Sequence, residues 1–391
     1  MNYDISRLGN HIQILSGFAF KSKDFSDSGV PVIKIKNVTP PSVSLIDLSY
    51  VPYDIAKQNS KFILNYDDVL IALTGSHINQ MTSVVGRVAR VKYNDKTVLN
   101  QRVGKITVLD ENDCDLDFVY YYLSQHSVKI ELASKAGGAA NQANISPSDI
   151  KNLMIPFPDI HTQRKISSIL KSYDNLIENN QKQIKLLEEA AQRLYKEWFV
   201  ELRFPGYETT PIINGIPEGW EKTLVGNVID KSHRSKQVMT SDYLKEGKIP
   251  VVDQSRNFIA GYTDDEETIV DLGVPVIVFG DHTRVLKYIQ FPFAKGADGT
   301  QLIVSKNSKI PQSLLYFCLF DIDLSNYHYA RHFKYLKAEE ILVPSVDIAR
   351  KFDEYANPIM KKIQILRDQI HNAEQARDRL LPKLMSGELE V

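Results

Sequence analysis

Two stretches decide how the chain is organised: RKISSILKSYDNLIENNQKQIKLLEEAAQRL at residues 164–194 and RKFDEYANPIMKKIQILRDQIHNAEQARDRL at residues 350–380. Each opens on Arg-Lys followed by a large apolar residue, and each keeps a seven-residue period. In the first, the series runs Ile166, Tyr173, Asn180, Leu187, Leu194, with companions at Ile169/Leu170, Leu176/Ile177, Ile184 and Ala190/Ala191. In the second it runs Phe352, Ile359, Leu366, Ala373, Leu380, with Tyr355/Ala356, Ile363, Ile370 and Leu384. Residues at this spacing share one face of an α-helix and bury against another helix. The stripe is wider than a two-position seam, which suits a small packed bundle. Roughly 35 residues of helix reach about 50 Å, more than one compact domain requires. Asn180 interrupts the first stripe; it is either buried, fixing register, or turned to water at a gap. Pro358 predicts a kink or a late helix start, because proline removes an internal hydrogen bond.

The two stretches are copies of one plan. At a constant offset of 186 residues, Ala190 answers Ala376, Arg193 answers Arg379 and Leu194 answers Leu380. A proline-containing strand end precedes each: Ile155-Pro156-Phe157-Pro158 and Leu342-Val343-Pro344. The expected organisation is a duplicated α+β architecture. A strand-rich domain at 1–155 is followed by a helix at 156–204, a second strand-rich domain at 205–345, and a second helix at 346–391. A pseudo-twofold would lay the helices antiparallel between the domains. Alternatively each helix packs on a partner protein, and both arrangements are compatible with so wide a stripe. In sequence the helices carry the repeat, while the strand-rich parts have diverged and share only a style.

That style is short β-branched runs punctuated by polar loops. Val30-Pro31-Val32-Ile33, Val69-Leu70-Ile71-Ala72-Leu73 and Val84–Val91 read as strands, and Asp117–Ser127 as a helix. In the second half Ile249–Val252, Val274–Phe279 and Gln301–Val304 read as strands, and Pro311–Phe320 as a helix. The loops hold Asn, Gln, Arg, His, Ser and Thr, which read base edges or bind phosphate. In the first half the DNA-contact candidates are Lys34, Lys36 and Asn37, then Thr74, Ser76, His77, Asn79 and Gln80. Arg102, Asn141 and Gln142 complete that set. In the second half they are Lys236, Arg256, His282, Thr283, Arg284, Lys295, Asp298 and Gln301. The aromatic-basic run Tyr327–Lys334 is the most suggestive: Arg331, His332 and Lys334 suit phosphates, and Tyr327 or Tyr329 suits a sugar or base. An ordinary polar loop or helix end is the competing reading of each.

Composition narrows the function. Hydrophobic residues make up 43% and charged residues 24%, a profile of globular proteins, and no apolar run is long enough to span a membrane. Met1–Ser6 lacks a basic-then-apolar signal pattern, which predicts a cytoplasmic location. Cys114 and Cys318 have no metal-ligand spacing and read as reduced structural thiols. No phosphate-binding Gly-Lys loop, dinucleotide turn or nucleophile constellation is present; His328 and His332 lack a third ligand, and Glu246-Gly247-Lys248 lacks the acidic partner of a nuclease. The chain reads as non-catalytic. Net charge is −1, with 16 Lys/Arg against 15 Asp/Glu in residues 1–155 and 15 against 18 in residues 205–345. Strong DNA binding by the chain alone is therefore not expected.

Together these features resemble the specificity subunits of Type I restriction-modification enzymes. The resemblance rests on Asp68–Gly75, Val85-Gly86-Arg87-Val88-Ala89, Leu99–Val103 and Asn144-Ile145-Ser146 leading to Gln163-Arg164-Lys165-Ile166. In the second half it rests on Val278–Thr283, Gly296–Gln301 and Tyr329–His332, and at the end on Arg379–Glu388. It implies two target-recognition domains, each reading half of a bipartite, asymmetric site on double-stranded DNA, with helices that set the gap. It implies docking of two methylation subunits, with Ile166, Tyr173, Leu187, Leu194, Leu366 and Leu380 on the helix faces concerned, and of restriction-translocation subunits. S-adenosylmethionine would belong to the methylation subunit, and ATP and Mg to the motor; this chain would hold no cofactor and act in a bacterial or archaeal cytoplasm. The competing function is a scaffold for such a complex that reads no sequence.

Overall fold

Val69-Leu70-Ile71-Ala72 is buried at every position, with no polar alternation, because it is covered on both faces. Val69 and Ile71 face one core, and Leu70 and Ala72 face another. The computed structural model describes residues 3–75, 84–135, 143–230, 235–306, 309–327 and 331–391. They form two compact units, Met1–Ile177 with His371–Val391, and Glu178–Ile370. The first unit is made of two segments and the second of one, and each takes part of both long helices.

In the first unit, Ile5–Arg7 pairs antiparallel with Met154–Pro156. An antiparallel sheet runs in the order Ile12–Ser16, Val103–Val108, Val69–Ala72, Val88–Arg90. A second sheet runs Ser49–Val51, Val30–Ile33, Thr97–Leu99, Ile63–Leu64, and its central pair is parallel. The helix Leu116–Ser124 is capped by Asp115, whose carboxylate accepts from Asp117 N. Phe118 of that helix shares one buried core with Ile166 and Leu170 of the first long helix and Leu384 and Met385 of the second.

The second unit repeats this order. Glu221–Leu224 pairs with Glu340–Val343. One sheet runs Ile229–Asp230, Thr300–Ser305, Val276–Gly280, Leu286–Ile289. The other is built on the parallel pair Ile249–Val252 and Phe293–Gly296. The helix Gln312–Phe320 occupies the place of Leu116–Ser124. Duplication therefore extends to the strand-rich parts, contrary to the expectation that the helices alone repeat: the strand order has been kept while the side chains changed.

The first long helix, Ile160–Tyr195, starts where the Asp159 carboxylate accepts from His161 N and Thr162 N, at 2.9 and 3.1 Å. It ends in a π-helical turn, Lys196–Val200, that buries Trp198 and Phe199. The second, Val346–Ser386, is helical on both sides of Pro358, so it does not start late there. Within each unit the two helices run antiparallel. Asp174 pairs with Arg377 at 2.7 Å in the first, where Tyr121 Oη also donates to Asp174; Asn180 meets Gln369 and Glu188 meets Arg367 in the second. Asn180 is 2% exposed, so its amide is buried in the helix pair rather than turned to water.

Candidate nucleic-acid interface

In the second unit three polar loops meet at the ends of the buried strands. Gln254, just after Ile249–Val252, accepts from His282 N through Oε1 at 3.1 Å and donates from Nε2 to Asp298 O at 2.9 Å. Its main-chain oxygen accepts from Thr283 Oγ1 at 2.6 Å. Asp281 N donates to Gly299 O, tying the second loop to the third. Asp281 also caps the short helix His332–Leu336: its main-chain oxygen accepts from His332 N at 2.9 Å and its Oδ1 from Phe333 N at 2.8 Å. His282, Thr283, Arg284, Asp298, Arg331 and Lys334 are exposed around this junction. Arg284 stands at φ 61° and donates to Leu324 O, which fixes the turn.

Several other candidates in this unit serve the fold. His332 is 5% exposed, so it is not a free phosphate ligand; burial and then Arg284 hold its imidazole below the usual range, hence neutral at pH 7. Tyr327 stacks on Tyr335 at 4.1 Å and donates to Glu339. Lys236 is bound to Asp265 and Glu267, which raise its pKa. Lys295 and Gln301 are half-buried, and burial pushes the Lys295 ammonium down. Arg256 is exposed. Tyr329 lies outside the described residues.

The first unit has a corresponding junction. Thr74–Gly75 pairs with Ala143–Asn144, so the loop leaving Gly75 and the loop arriving at Ala143 begin and end on one strand pair. Ser76, His77, Asn79, Gln80, Asn141 and Gln142 lie outside the described residues. Arg102 is exposed in the turn before Val103–Val108. Two candidates here are corrected. Asn37 is 1% exposed and donates to Ser44 O and Ile46 O, and Thr74 is buried in its strand pair. Lys34 donates to Ser49 Oγ, and burial and then Lys36 lower its pKa; Lys36 is paired with Asp47.

Sequence reading missed the groups that hold these junctions. Gln254 lies in Asp253-Gln254-Ser255-Arg256, a polar run after a strand, the same signal that marked the other loops. Lys287 is 4% exposed and donates to Asp253 O and Asn257 O, so it anchors that run; burial pushes its pKa down to about 8. In the first unit Arg90, 5% exposed, lies over Tyr120 at 4.2 Å and binds Asp117 and Asp67. Lys92 and Lys171 bind the same carboxylates. Strands bearing alternate charges gave no hint of these partners, which come from distant segments. His11 accepts or donates to Ser6 Oγ at 2.7 Å and Asp113 Oδ2 at 2.6 Å, but its ring lies flat on Phe157 at 3.7 Å, and the chain of contacts pins the first strand. Among the described residues no group of three His, Cys, Asp or Glu is placed to hold a metal ion, and no helix is long and apolar enough to cross a membrane. Cys114 and Cys318 are buried free thiols, both pushed up to about 12 by burial.

The helix residues singled out for partners face inward. Ile166 and Leu366 are 0% and 1% exposed, and Leu187, Leu194 and Leu380 pack against their units' cores; Tyr173 is half-buried. Most of their stripe is taken up by intrachain packing. Leu176 and Leu186 on the first long helix and Val346, Tyr355 and Ile365 on the second remain exposed.

Residues 1–189 match the family described as Type I restriction modification DNA specificity domain. The chain is 27% identical over 297 residues to the Type I restriction enzyme MjaIX specificity subunit of Methanocaldococcus jannaschii, covering 69% of this chain and 68% of that one. It is 23% identical to the putative Type I restriction enzyme MjaX specificity subunit of the same organism, covering 100% of this chain and 94% of that one. Among solved structures, the S subunit of a Type I restriction-modification system from M. genitalium shares the fold with a TM-score of 0.62, 17% identity, and coverage of 98% and 96%. The resemblance first carried by the loops and the doubled helices thus extends along the chain, which is similar in sequence and in fold to the specificity subunits of Type I restriction-modification systems.

Proposed function

We propose that this subunit supplies the DNA address of its complex, each unit reading one half of a bipartite, asymmetric site. The observation that carries this reading is the junction built twice on one strand order: Thr74–Gly75 against Ala143–Asn144 in one unit, Asp281 against His332 in the other. The side chains around the two differ, which supports two unlike half-sites over a palindrome. His282, Arg284, Arg331 and Lys334 contact DNA in the second unit. Arg102 does so in the first, together with the loops that leave Gly75 and reach Ala143. The long helices set the unread gap, and their exposed Leu176, Leu186, Tyr355 and Ile365 dock two methylation subunits. The chain performs no chemistry itself: S-adenosylmethionine enters with the methylation subunits, and ATP and Mg with the restriction-translocation subunits. Arg90, Lys92, Lys171 and Lys236 are paired internally and so are not offered to phosphates, which supports an affinity for DNA that depends on the assembled complex.

Mapping methylated bases in the genome of a host that expresses the subunit with its methylation partner tests this. Two short specified tracts separated by a fixed, unspecified gap are expected. Methylation without sequence preference would return the chain to a scaffold role, and a palindromic tract would remove the two unlike readers.

A further inference from the structure

We propose that Gln254 is a positioning residue for sequence discrimination by the second unit, holding its reading loops in the geometry that selects bases. This rests on the proposed DNA-reading function and adds to it a residue that was not among the side chains expected to touch DNA. One side chain braces two loops: Oε1 takes the His282 amide and Nε2 the Asp298 carbonyl, while the main-chain oxygen takes the Thr283 hydroxyl. A glutamine amide offers an acceptor and a donor at opposite corners, and both are used here. The loops close so tightly on it that glycines stand where they touch. A Cβ on Gly299, at φ 73°, would lie 2.7 Å from the His282 ring and 2.9 Å from Gln254 Nε2; one on Gly280 would lie 2.2 Å from Thr283 Oγ1 and 2.9 Å from Gln254 Cβ. Gln254 is itself held from behind, because the carbonyls of Asp253 and Asn257 are gripped by the buried Lys287, and Tyr243 Oη donates to Asp253. The support thus passes from the core, through Asp253–Asn257, to the exposed His282 and Asp298. Readout requires side chains held to within about half an ångström, which exposed loops do not achieve unaided.

The test uses the subunit assembled with its methylation partners, with Gln254→Ala and Gln254→Glu. The glutamate keeps an acceptor for His282 N and loses the donor to Asp298 O. Methylation rates are compared on the cognate site and on sites carrying single-base changes in one half or the other. For Gln254→Ala, discrimination in the second unit's half is expected to fall about tenfold, a loss of roughly 1.4 kcal/mol. Discrimination in the other half stays unchanged, and the glutamate falls between. Undiminished discrimination in both halves overturns the proposal. So does loss of hydrogen-exchange protection throughout Val276–Gly280 and Thr300–Ser305 in both variants, which would make Gln254 a fold residue. If the unaltered subunit discriminates in neither half, the DNA-reading function itself fails.

Discussion

The two units share a strand order but differ in how the loop end of that order is held. In the first, an extended strand pair, Thr74–Gly75 with Ala143–Asn144, does the work with backbone hydrogen bonds. In the second, side chains do it: the Asp281 carboxylate caps a helix and Gln254 bridges loops. The cores differ in the same way. The first packs aliphatic Ile166 and Leu170 at the helix seam, whereas the second gathers Tyr195, Trp198, Phe199 and Phe317 around Phe352 at centroid distances of 5.1–6.3 Å. A fold whose stability comes from a repeated frame leaves its loop ends free to diverge, and divergence there changes what is read without changing what is built.

The largest expected effect sets the equivalent core positions against each other. Ile166 and Phe352 lie 186 residues apart and are both fully buried. Phe352→Ala should cost about 3–5 kcal/mol and Ile166→Ala about 2–5 kcal/mol. Trp198 and Trp220, the chain's two tryptophans, are both in the second unit, so tryptophan fluorescence in urea reports that unit alone. Phe352→Ala should move the fluorescence transition, and Ile166→Ala should act on hydrogen exchange in Val69–Ala72. If Ile166→Ala moved the tryptophan signal as far as Phe352→Ala, the cores would not be separate.

Next comes the exposed edge of the second unit. Arg331→Ala and Lys334→Ala should each weaken DNA binding by the assembled complex about tenfold and lower the slope of log K against log salt by about 1. Titration at several salt concentrations checks it. Unchanged affinity and slope in both variants would move the DNA away from His332–Leu336. Arg102→Ala is the comparison in the first unit; an equal loss there would show that both units rely on phosphate contacts to the same degree.

The buried cation of the second unit adds a pH signature. Lys287 has its pKa lowered to about 8 from an ordinary 10.5 by burial. Below about 8 both native and unfolded chains hold this proton, so it contributes no slope. Between there and 10.5 only the unfolded chain holds it, so this group makes native stability rise with pH. Relative to Lys287→Met, the unaltered chain should gain stability from pH 8 to 10. A constant difference across that range would mean that the native ammonium is not desolvated.

How much of this was legible in the sequence follows from what is local. The seven-residue stripes announced both helices, and Asp159 marks where the first begins. Strand Val69–Ala72 and helix Gln312–Phe320 stood out by composition. The second unit's likeness in style was legible too, but its strand-by-strand match to the first was not, because strand order is carried by pairings such as Val32 with Val98, whose partners are far apart in sequence. The loops around His282, Asp298 and Arg331 were found by their polar composition. That same signal also marked Asn37 and His332, which the fold buries, since composition does not say which way a side chain turns. Gln254 and Lys287 escaped notice because their role exists only once three loops converge.

The smallest expected effect concerns the place where the two helices fail to match. Asn180 corresponds at the same offset to Leu366, and both are buried, at 2% and 1% exposure. The Asn180 amide donates to Gln369 Oε1 at 3.1 Å, and Gln369 is exposed and able to take water instead. Losing that bond therefore leaves no stranded group, and its net worth is about 1 kcal/mol. Burying a leucine in place of the amide gains about 1.5–3 kcal/mol if the site accommodates it. Asn180→Leu should thus stabilise the second unit by about 1 kcal/mol, raising the midpoint of its tryptophan transition in urea. A buried polar residue in an apolar stripe is retained at the expense of stability when it excludes other registers. With leucine at both 180 and 366 the seam has lost its one marked layer, and hydrogen exchange along 180–195 should become faster or heterogeneous even as the midpoint rises. A fall in the midpoint with sharp, uniform exchange would mean that the amide stabilises the pair outright and that register is set elsewhere.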